Sequence, residues 1–107
     1  MKIDLNAATG ANTTTTSTQV TLPPTDEFTV AIVASQPGTW VAYGIEEVTG
    51  ARIPLFTSRT LSSTTNREGA TVYADSYAVL GQFSALVYVY TNTNNTAGVH
   101  SGSVQHC

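Results

Sequence analysis

The amino-acid sequence predicts one all-β domain. Short runs in which apolar and polar residues alternate recur along its 107 residues, and turn-forming residues separate them at intervals of roughly 8 to 12 residues. About one residue in six is threonine, whose β-branched side chain favours strands. We therefore expect a single antiparallel β-sandwich of jelly-roll or immunoglobulin-like type, with about seven or eight short strands and an extended N-terminal arm.

The two clearest strands are residues 28–34 and 83–90. In the first, Phe28, Val30 and Ile32 alternate with Thr29 and two further apolar residues. Such alternation places every second side chain on the same face of a sheet. Because both faces of this strand are largely apolar, we expect it to occupy a central position.

Glycine and proline mark the turns and edges. Pro37 followed by Gly38 predicts a reversal of the chain, and Gly50 predicts a hairpin at the end of the strand that begins at residue 40. Pro54 in the returning strand has no N–H group, which indicates an edge strand or a bulge. Residues 70–74 and 77–80 are expected to form two separate short strands, and residues 99–105 a last one.

The first 17 residues differ in composition from the rest. Residues 8–17 are small and hydroxylic, whereas Ile3 and Leu5 alternate with polar residues just before them. This pattern predicts an arm over residues 1–17 and a sandwich domain over residues 18–107. The alternating patch is suited to pair as an edge strand, either within its own sheet or on another subunit.

Charge and hydropathy exclude several classes of partner. The net charge is −3, and the four basic residues are scattered, so no basic stripe is present to bind a nucleic acid. No stretch approaches the roughly 20 apolar residues that a membrane span requires, and no signal peptide is recognised. We expect a soluble protein whose surface is neutral and hydroxylic, because only 10% of its residues are charged.

No residue pattern predicts catalysis, a metal or a cofactor. His100 and His106 fall in the last strand or the tail, and we interpret them as surface or tail imidazoles rather than as a catalytic base. Together with Cys107 they match no zinc-binding spacing. The adjacent acids at 26–27 and 46–47 do not suit a calcium site or a glycosidase dyad, because neighbouring residues on a strand point to opposite faces. We interpret them as solvated loop or hairpin acids. The sequence therefore predicts a protein that is not an enzyme and has no cofactor.

Aromatic residues are the best candidates for contact with a partner, because tyrosine and tryptophan are common anchors of interfaces and of sugar-stacking platforms. They also suit a second role, in which their rings cap the core and their hydroxyl groups remain at its rim. The candidate partner-binding residues are Ile3, Leu5, Trp40, Tyr43, Tyr88 and Tyr90.

In its layout of strands and turns, the chain resembles the small β-sandwich head proteins of tailed bacteriophages. Four segments carry this resemblance: 18–24 (TQVTLPP), 27–34 (EFTVAIVA), 39–44 (TWVAYG) and 81–89 (GQFSALVYV). The resemblance implies a decoration or cement protein, often trimeric, that binds the major capsid protein on the outside of a virion assembled in the host cytoplasm. It transfers no functional residue, because the group has no invariant site. The alternative is a binding module for carbohydrate, or an adhesion component of a fibre or tail.

Overall fold

A computed structural model describes residues 2–22, 27–81 and 83–106 of the chain. Within these ranges there is no helix, and eleven strands form two antiparallel sheets. The strands are β1 (Lys2–Thr9), β2 (Thr14–Thr16), β3 (Val20–Thr21), β4 (Glu27–Ala34), β5 (Gly38–Ile45), β6 (Arg52–Pro54), β7 (Arg59–Thr60), β8 (Ser62–Thr65), β9 (Thr71–Leu80), β10 (Ala85–Asn92) and β11 (Gly98–His106). The predicted antiparallel β-sandwich is confirmed, with eleven strands among the described residues where seven or eight were expected; five of the eleven are only two to four residues long.

The two sheets differ in size and in regularity. The five-stranded sheet has the order β1-β11-β4-β9-β8. In the six-stranded sheet β10 and β5 form the centre; β2 and β3 both pair with the outer edge of β10, and β6 and β7 both pair with the outer edge of β5. The predicted central position of the strand at residues 28–34 is confirmed, because β4 is the middle strand of its sheet.

The core lies between the two sheets. Alternate residues of β4, from Phe28 to Ala34, are buried and face the inward residues of β5 and β10, among them Trp40 and Leu86. Burial of large apolar side chains from both sheets supplies most of the stabilisation of such a fold. A small second cluster of Ile45, Ala85 and Val87 alternates with the core residues along β5 and β10.

Three local predictions are confirmed and one is wrong. The chain turns after β5 at Gly50, which has a φ of 74°, and Pro54 lies in the edge strand β6. Residues 98–106 form a last strand. Residues 70–74 and 77–80 do not form separate strands, because Asp75 and Ser76, which suggest a break, continue the ladder opposite Ile32 and Ala31 as part of β9.

The N-terminal residues belong to both sheets. β1 pairs with β11, and β2 pairs with β10, so the segment expected as an arm is part of the sandwich of its own chain. Ile3 is buried in the core, whereas Leu5 is 63% exposed. Of the two pairings considered for the alternating patch, the structure has the one within its own sheet.

Candidate functional site

An apolar groove opens along one long side of the sandwich. We call this side, where β6 and β7 of one sheet approach β9 of the other, the groove side. The opposite side, where β1 and β2 lie at the edges, is the N-terminal side. The groove has a volume of about 380 Å³, and none of its lining residues is charged. These residues are Ile53, Pro54, Leu55, Tyr77, Ala78, Val79, Leu80 and Phe83.

One wall of the groove is the irregular edge of the six-stranded sheet. Pro54 pairs with Tyr43 but has no N–H group to continue a ladder, and β6 ends there. The Leu55 N–H still donates to the Ala42 carbonyl oxygen at 2.9 Å, after which the chain leaves the sheet until β7. β6 is an outermost strand of its sheet, so its apolar side chains stand at an open edge, and no further strand covers them in the described part of the chain.

Phe83 reaches the groove because residue 44 is a glycine. A Cβ atom at Gly44 would overlap the ring of Phe83, which packs directly against the backbone of β5. Glycine permits this close approach of a side chain to a strand. The ring thus adds an apolar surface at the end of the groove, beside the last residues of β9.

The other wall is the C-terminal half of β9. β9 pairs with β4 from Tyr73 to Leu80, but β8 covers its outer edge only from Thr71 to Ala74. Within the described part of the chain, no strand pairs with the outer edge of residues 75–80. Leu80, at the end of this stretch, is 81% exposed.

A charged and aromatic cluster closes one end of the groove side. The Asp75 carboxylate accepts hydrogen bonds from Arg59 Nε at 2.7 Å and from Trp40 Nε1 at 2.8 Å. The guanidinium group of Arg59 also lies over the rings of Phe56 and Tyr77, at 5.9 and 5.6 Å from their centroids. This cluster ties β7 to β9 and provides the buried indole N–H with an acceptor.

The charge of Asp75 is compensated locally. Partial burial by itself raises the pKa of Asp75, but hydrogen bonds from Arg59, Trp40 and a backbone amide outweigh it and hold the pKa below its usual range. The carboxylate is therefore ionised near neutral pH and paired with Arg59. It adds no uncompensated charge to the groove.

His100 is not a surface imidazole, and that prediction is wrong. Its side chain is 2% exposed, because residue 100 has the same inward orientation along β11 as the buried Val104. Nδ1 of His100 is hydrogen-bonded to the Tyr88 hydroxyl at 2.5 Å, and Nε2 to the Thr15 hydroxyl at 3.2 Å. Burial lowers the pKa of His100, and the negative charge of Asp4 offsets part of this effect. His106 lies in β11, but its side chain and Cys107 are outside the described residues.

This hydrogen-bonded chain of Thr15, His100 and Tyr88 is a structural element of the N-terminal side. A nucleophilic hydroxyl beside a histidine needs access to a substrate. Here the imidazole is buried within the sandwich, and its second nitrogen is bound to the hydroxyl of a core tyrosine. Among residues 2–22, 27–81 and 83–105, no group of three potential metal ligands comes together.

The predicted aromatic candidates are mostly part of the core. Trp40 is 1% exposed, and Tyr88 and Tyr90 are fully buried. The Tyr90 hydroxyl donates to the Gln36 carbonyl oxygen at 2.6 Å. Tyr43 is half-buried and packs against the cluster of Ile45, Ala85 and Val87. In this fold only Tyr43 of these four offers surface to a partner, as Leu5 does on β1, and the role of all of them in partner binding stays a prediction.

Sequence reasoning did not identify the groove. The residues that line it come from three separate segments and are brought together by the pairing of the sheets. Two signals pointed towards it: the proline in an edge strand at residue 54, and the apolar end of β9 directly before Gly81. Neither indicates which other segment lies opposite.

The architecture defines the molecule as an antiparallel β-sandwich with an open apolar groove between its sheets. Comparison of the chain with models of protein families, with curated proteins and with solved structures gives no match. No helix in the described ranges is long and apolar enough to cross a membrane.

Proposed function

We propose that the protein is a structural virion protein, which decorates a bacteriophage capsid and stabilises it by binding the shell of the major capsid protein through the groove. One observation carries the proposal: an uncharged apolar groove is left open between Ile53 and Leu80 on a small domain. A groove lined by apolar side chains beside a free sheet edge is a common kind of site for binding another protein. The choice of a phage capsid as the assembly rests on the resemblance of the sequence, in its layout of strands and turns, to phage head proteins.

The physical chemistry of the groove suits adhesion without turnover. Its lining residues carry no charge, so binding relies on burial of apolar side chains and on main-chain hydrogen bonds and not on ion pairs. Many copies on one shell make contacts of modest individual strength effective together. The proposal includes self-association on the capsid exterior into a homotrimer or another closed oligomer. The mass of the purified protein in solution, measured by light scattering, tests whether it forms such an oligomer.

Binding to shells tests the capsid role. Empty shells of the major capsid protein, stripped of decoration, are sedimented with the purified protein, and the bound fraction is measured. We expect saturable binding that persists between about 0.15 M and about 1 M salt, because the contact is apolar and salt screens charges only. Stripped shells that do not bind the protein would overturn the proposal.

A pair of substitutions locates the contact. Leu80→Asp places a charge on the groove, whereas Val48→Asp places it in the β5–β6 turn, where Val48 is 88% exposed and does not line the groove. We expect Leu80→Asp to weaken shell binding at least about tenfold, because a desolvated charge without a partner is costly, and Val48→Asp to leave it unchanged. Equal binding by both variants would remove the groove from the proposal.

The alternative role in binding carbohydrate has less support. A sugar platform needs an exposed and flat aromatic surface, and Trp40, its main candidate, is buried. Phe56 and Tyr77 are partly exposed, but the planes of their two rings are inclined to each other by 38°, and the guanidinium group of Arg59 lies over both rings. These observations count against a stacking platform and favour the structural role.

A further inference from the structure

We infer, from the groove assigned above as the shell-binding surface, that the partner contributes an extended strand, which adds to the free edge of residues 75–80 of β9. The inference thus rests on the proposed function for its site and goes beyond it in the mode of binding. The added strand extends the five-stranded sheet, and its alternate apolar side chains enter the groove. Addition of a strand to a sheet edge is an established mode of peptide recognition, in which main-chain hydrogen bonds provide affinity.

The edge itself is the first argument. β8 stops at the register of Ala74, so the main chain of residues 75–80 has a strand neighbour only on the side of β4. Alternate N–H and C=O groups of these residues therefore point away from the sheet and form a template for a further strand, except that the Ser76 N–H already donates to Asp75 Oδ1 at 2.9 Å. Six residues at about 3.3 Å each provide an edge of roughly 20 Å, which matches a typical short strand.

The end of this edge is also unprotected. Proteins that keep an edge strand from pairing usually place lysine, proline or an inward charge on it, or cover it with a loop. Residues 78–80 read Ala-Val-Leu and contain none of these devices, whereas the Arg59 side chain lies over the ring of Tyr77. The one charge at the start of the stretch, Asp75, is paired with Arg59. A stretch of this kind, next to an exposed Leu80, is suited to pairing with another chain.

The groove defines the chemistry of the incoming strand. Ile53 and Leu55 lie on one side of it, and Tyr77 and Val79 on the other. Since successive side chains of a strand point to opposite faces, only every second residue of the added strand faces these walls. No lining residue offers a charge to pair with, so a charged side chain at those positions would lose its hydration without compensation. The occupant is therefore an extended segment with uncharged apolar residues at alternate positions.

Hydrogen exchange of the backbone amides, measured by NMR on the full chain, tests strand addition with synthetic probes. The probe is a capped peptide of sequence KTVTVTVK, added at millimolar concentration. The control is KTTVVVTK, which has the same composition without alternation. We expect the first peptide to slow exchange of the outward amides of residues 75–80 at least about tenfold and the second to leave them unchanged. Equal exchange with and without the alternating peptide would overturn the inference.

N-methylated probes test the main-chain contact. Methylation of the three valine nitrogens removes the donors on one edge of the peptide, and methylation of the three threonine nitrogens removes those on the other edge. Because only one edge of the added strand faces β9, we expect one of these peptides to lose its effect and the other to keep most of it. If both methylated peptides slow amide exchange as much as the unmethylated peptide does, strand addition is wrong. The peptides would then contact the groove through their side chains only.

The two proposals fail in distinguishable ways. If Leu80→Asp abolishes shell binding while the alternating peptide leaves the amides unchanged, the groove binds shells by another geometry and strand addition is wrong. If the peptide protects the amides but shells are not bound, the groove accepts strands and the capsid role is wrong.

Discussion

The two long sides of the sandwich are held in different ways. On the N-terminal side, polar side chains join the edge strands: the Asp4 carboxylate accepts hydrogen bonds from the backbone N–H and hydroxyl of Thr18, and His100 links Tyr88 to Thr15. On the groove side, the Arg59–Asp75 pair joins the sheets at one end, and the surface beside it is apolar and open.

This difference separates internal stabilisation from adhesion. On the N-terminal side, the buried imidazole of His100 and the hydroxyl of Tyr88 have their partners within the chain, and loss of one partner leaves the other unsatisfied. On the groove side, apolar area remains in contact with water and is available to another molecule. Substitutions on the first side should therefore change the free energy of unfolding, and substitutions on the second should change binding.

The largest contrast is expected from removing a tyrosine ring on each side. Tyr88→Ala should lower the free energy of unfolding by about 3–5 kcal/mol, because it creates a cavity in the core. Tyr77→Ala, from the partly exposed wall of the groove, should lower it by roughly 1 kcal/mol. Urea denaturation followed by fluorescence measures both values. Similar losses for the two variants would show that the sides do not differ in packing.

Removal of the hydroxyl group alone separates hydrogen bonding from packing. Tyr88→Phe leaves Nδ1 of the buried His100 without its partner, and we expect a loss of about 1–3 kcal/mol in the free energy of unfolding. Tyr77→Phe is the matched control and should change it by less than about 0.5 kcal/mol. A neutral Tyr88→Phe variant would mean that the buried hydrogen bond contributes no net stability.

Acid should weaken the N-terminal side through His100. The pKa of His100 is lowered in the folded protein, so below its unfolded value of 6.5 the unfolded chain takes up a proton that the folded chain does not. The free energy of unfolding should then fall as the pH decreases from 7.5 to 5. Once His100 is protonated in both the folded and the unfolded protein, the total fall is about 1.4 kcal/mol for each pH unit by which folding lowers the pKa of His100. The groups facing His100 are Asp4, Tyr88, Tyr90 and Thr15, and of these Asp4 opposes the fall.

The variant His100→Gln tests the origin of this pH dependence. Glutamine retains hydrogen-bonding groups but does not titrate, so the fall between pH 7.5 and 5 should become smaller than in the wild type. Denaturation curves at several pH values measure it. An unchanged slope would assign the pH dependence to other groups.

The smallest effect on stability is expected in the groove. Leu80→Asp, which we expect to abolish most binding, should change the free energy of unfolding by less than about 0.5 kcal/mol, because its side chain is 81% exposed. A loss of several kcal/mol would indicate that Leu80 belongs to the core. Weaker shell binding by the Leu80→Asp variant would then be a consequence of an altered fold, and the binding test would have to use Ile53→Asp instead.

The fold could be predicted where a local sequence pattern is compatible with only one kind of local structure. The alternation of Phe28, Val30 and Ile32 specified the buried face of β4, and Pro54 indicated an edge. The order of the strands could not be derived, because alternation defines the face of a residue and not its neighbour. The sequence predicted two short strands in place of β9 for a related reason. Aspartate is common in turns, and only the folded structure shows that the Asp75 carboxylate accepts hydrogen bonds from Trp40 and Arg59 within a continuous strand.

The candidate site was less accessible from the sequence. His100 could have been recognised as buried, because it has the same parity as Gly102 and Val104 in a strand whose odd positions are mostly polar. The groove depends on where β8 and β6 end relative to β9, which is a property of the pairing of distant segments. No pattern within one segment reports it.

The position of β11 has a consequence for the kinetics of folding. This strand lies between β1 and β4, so the first strand of the chain has no partner until the last one is in place, with Lys2 opposite Ser103. Contacts between residues so far apart in sequence require closure of a large loop before they contribute stability. We therefore expect slow folding, on the scale of milliseconds to seconds, in which β4 pairs with β9 before the two ends of the chain meet and complete the five-stranded sheet.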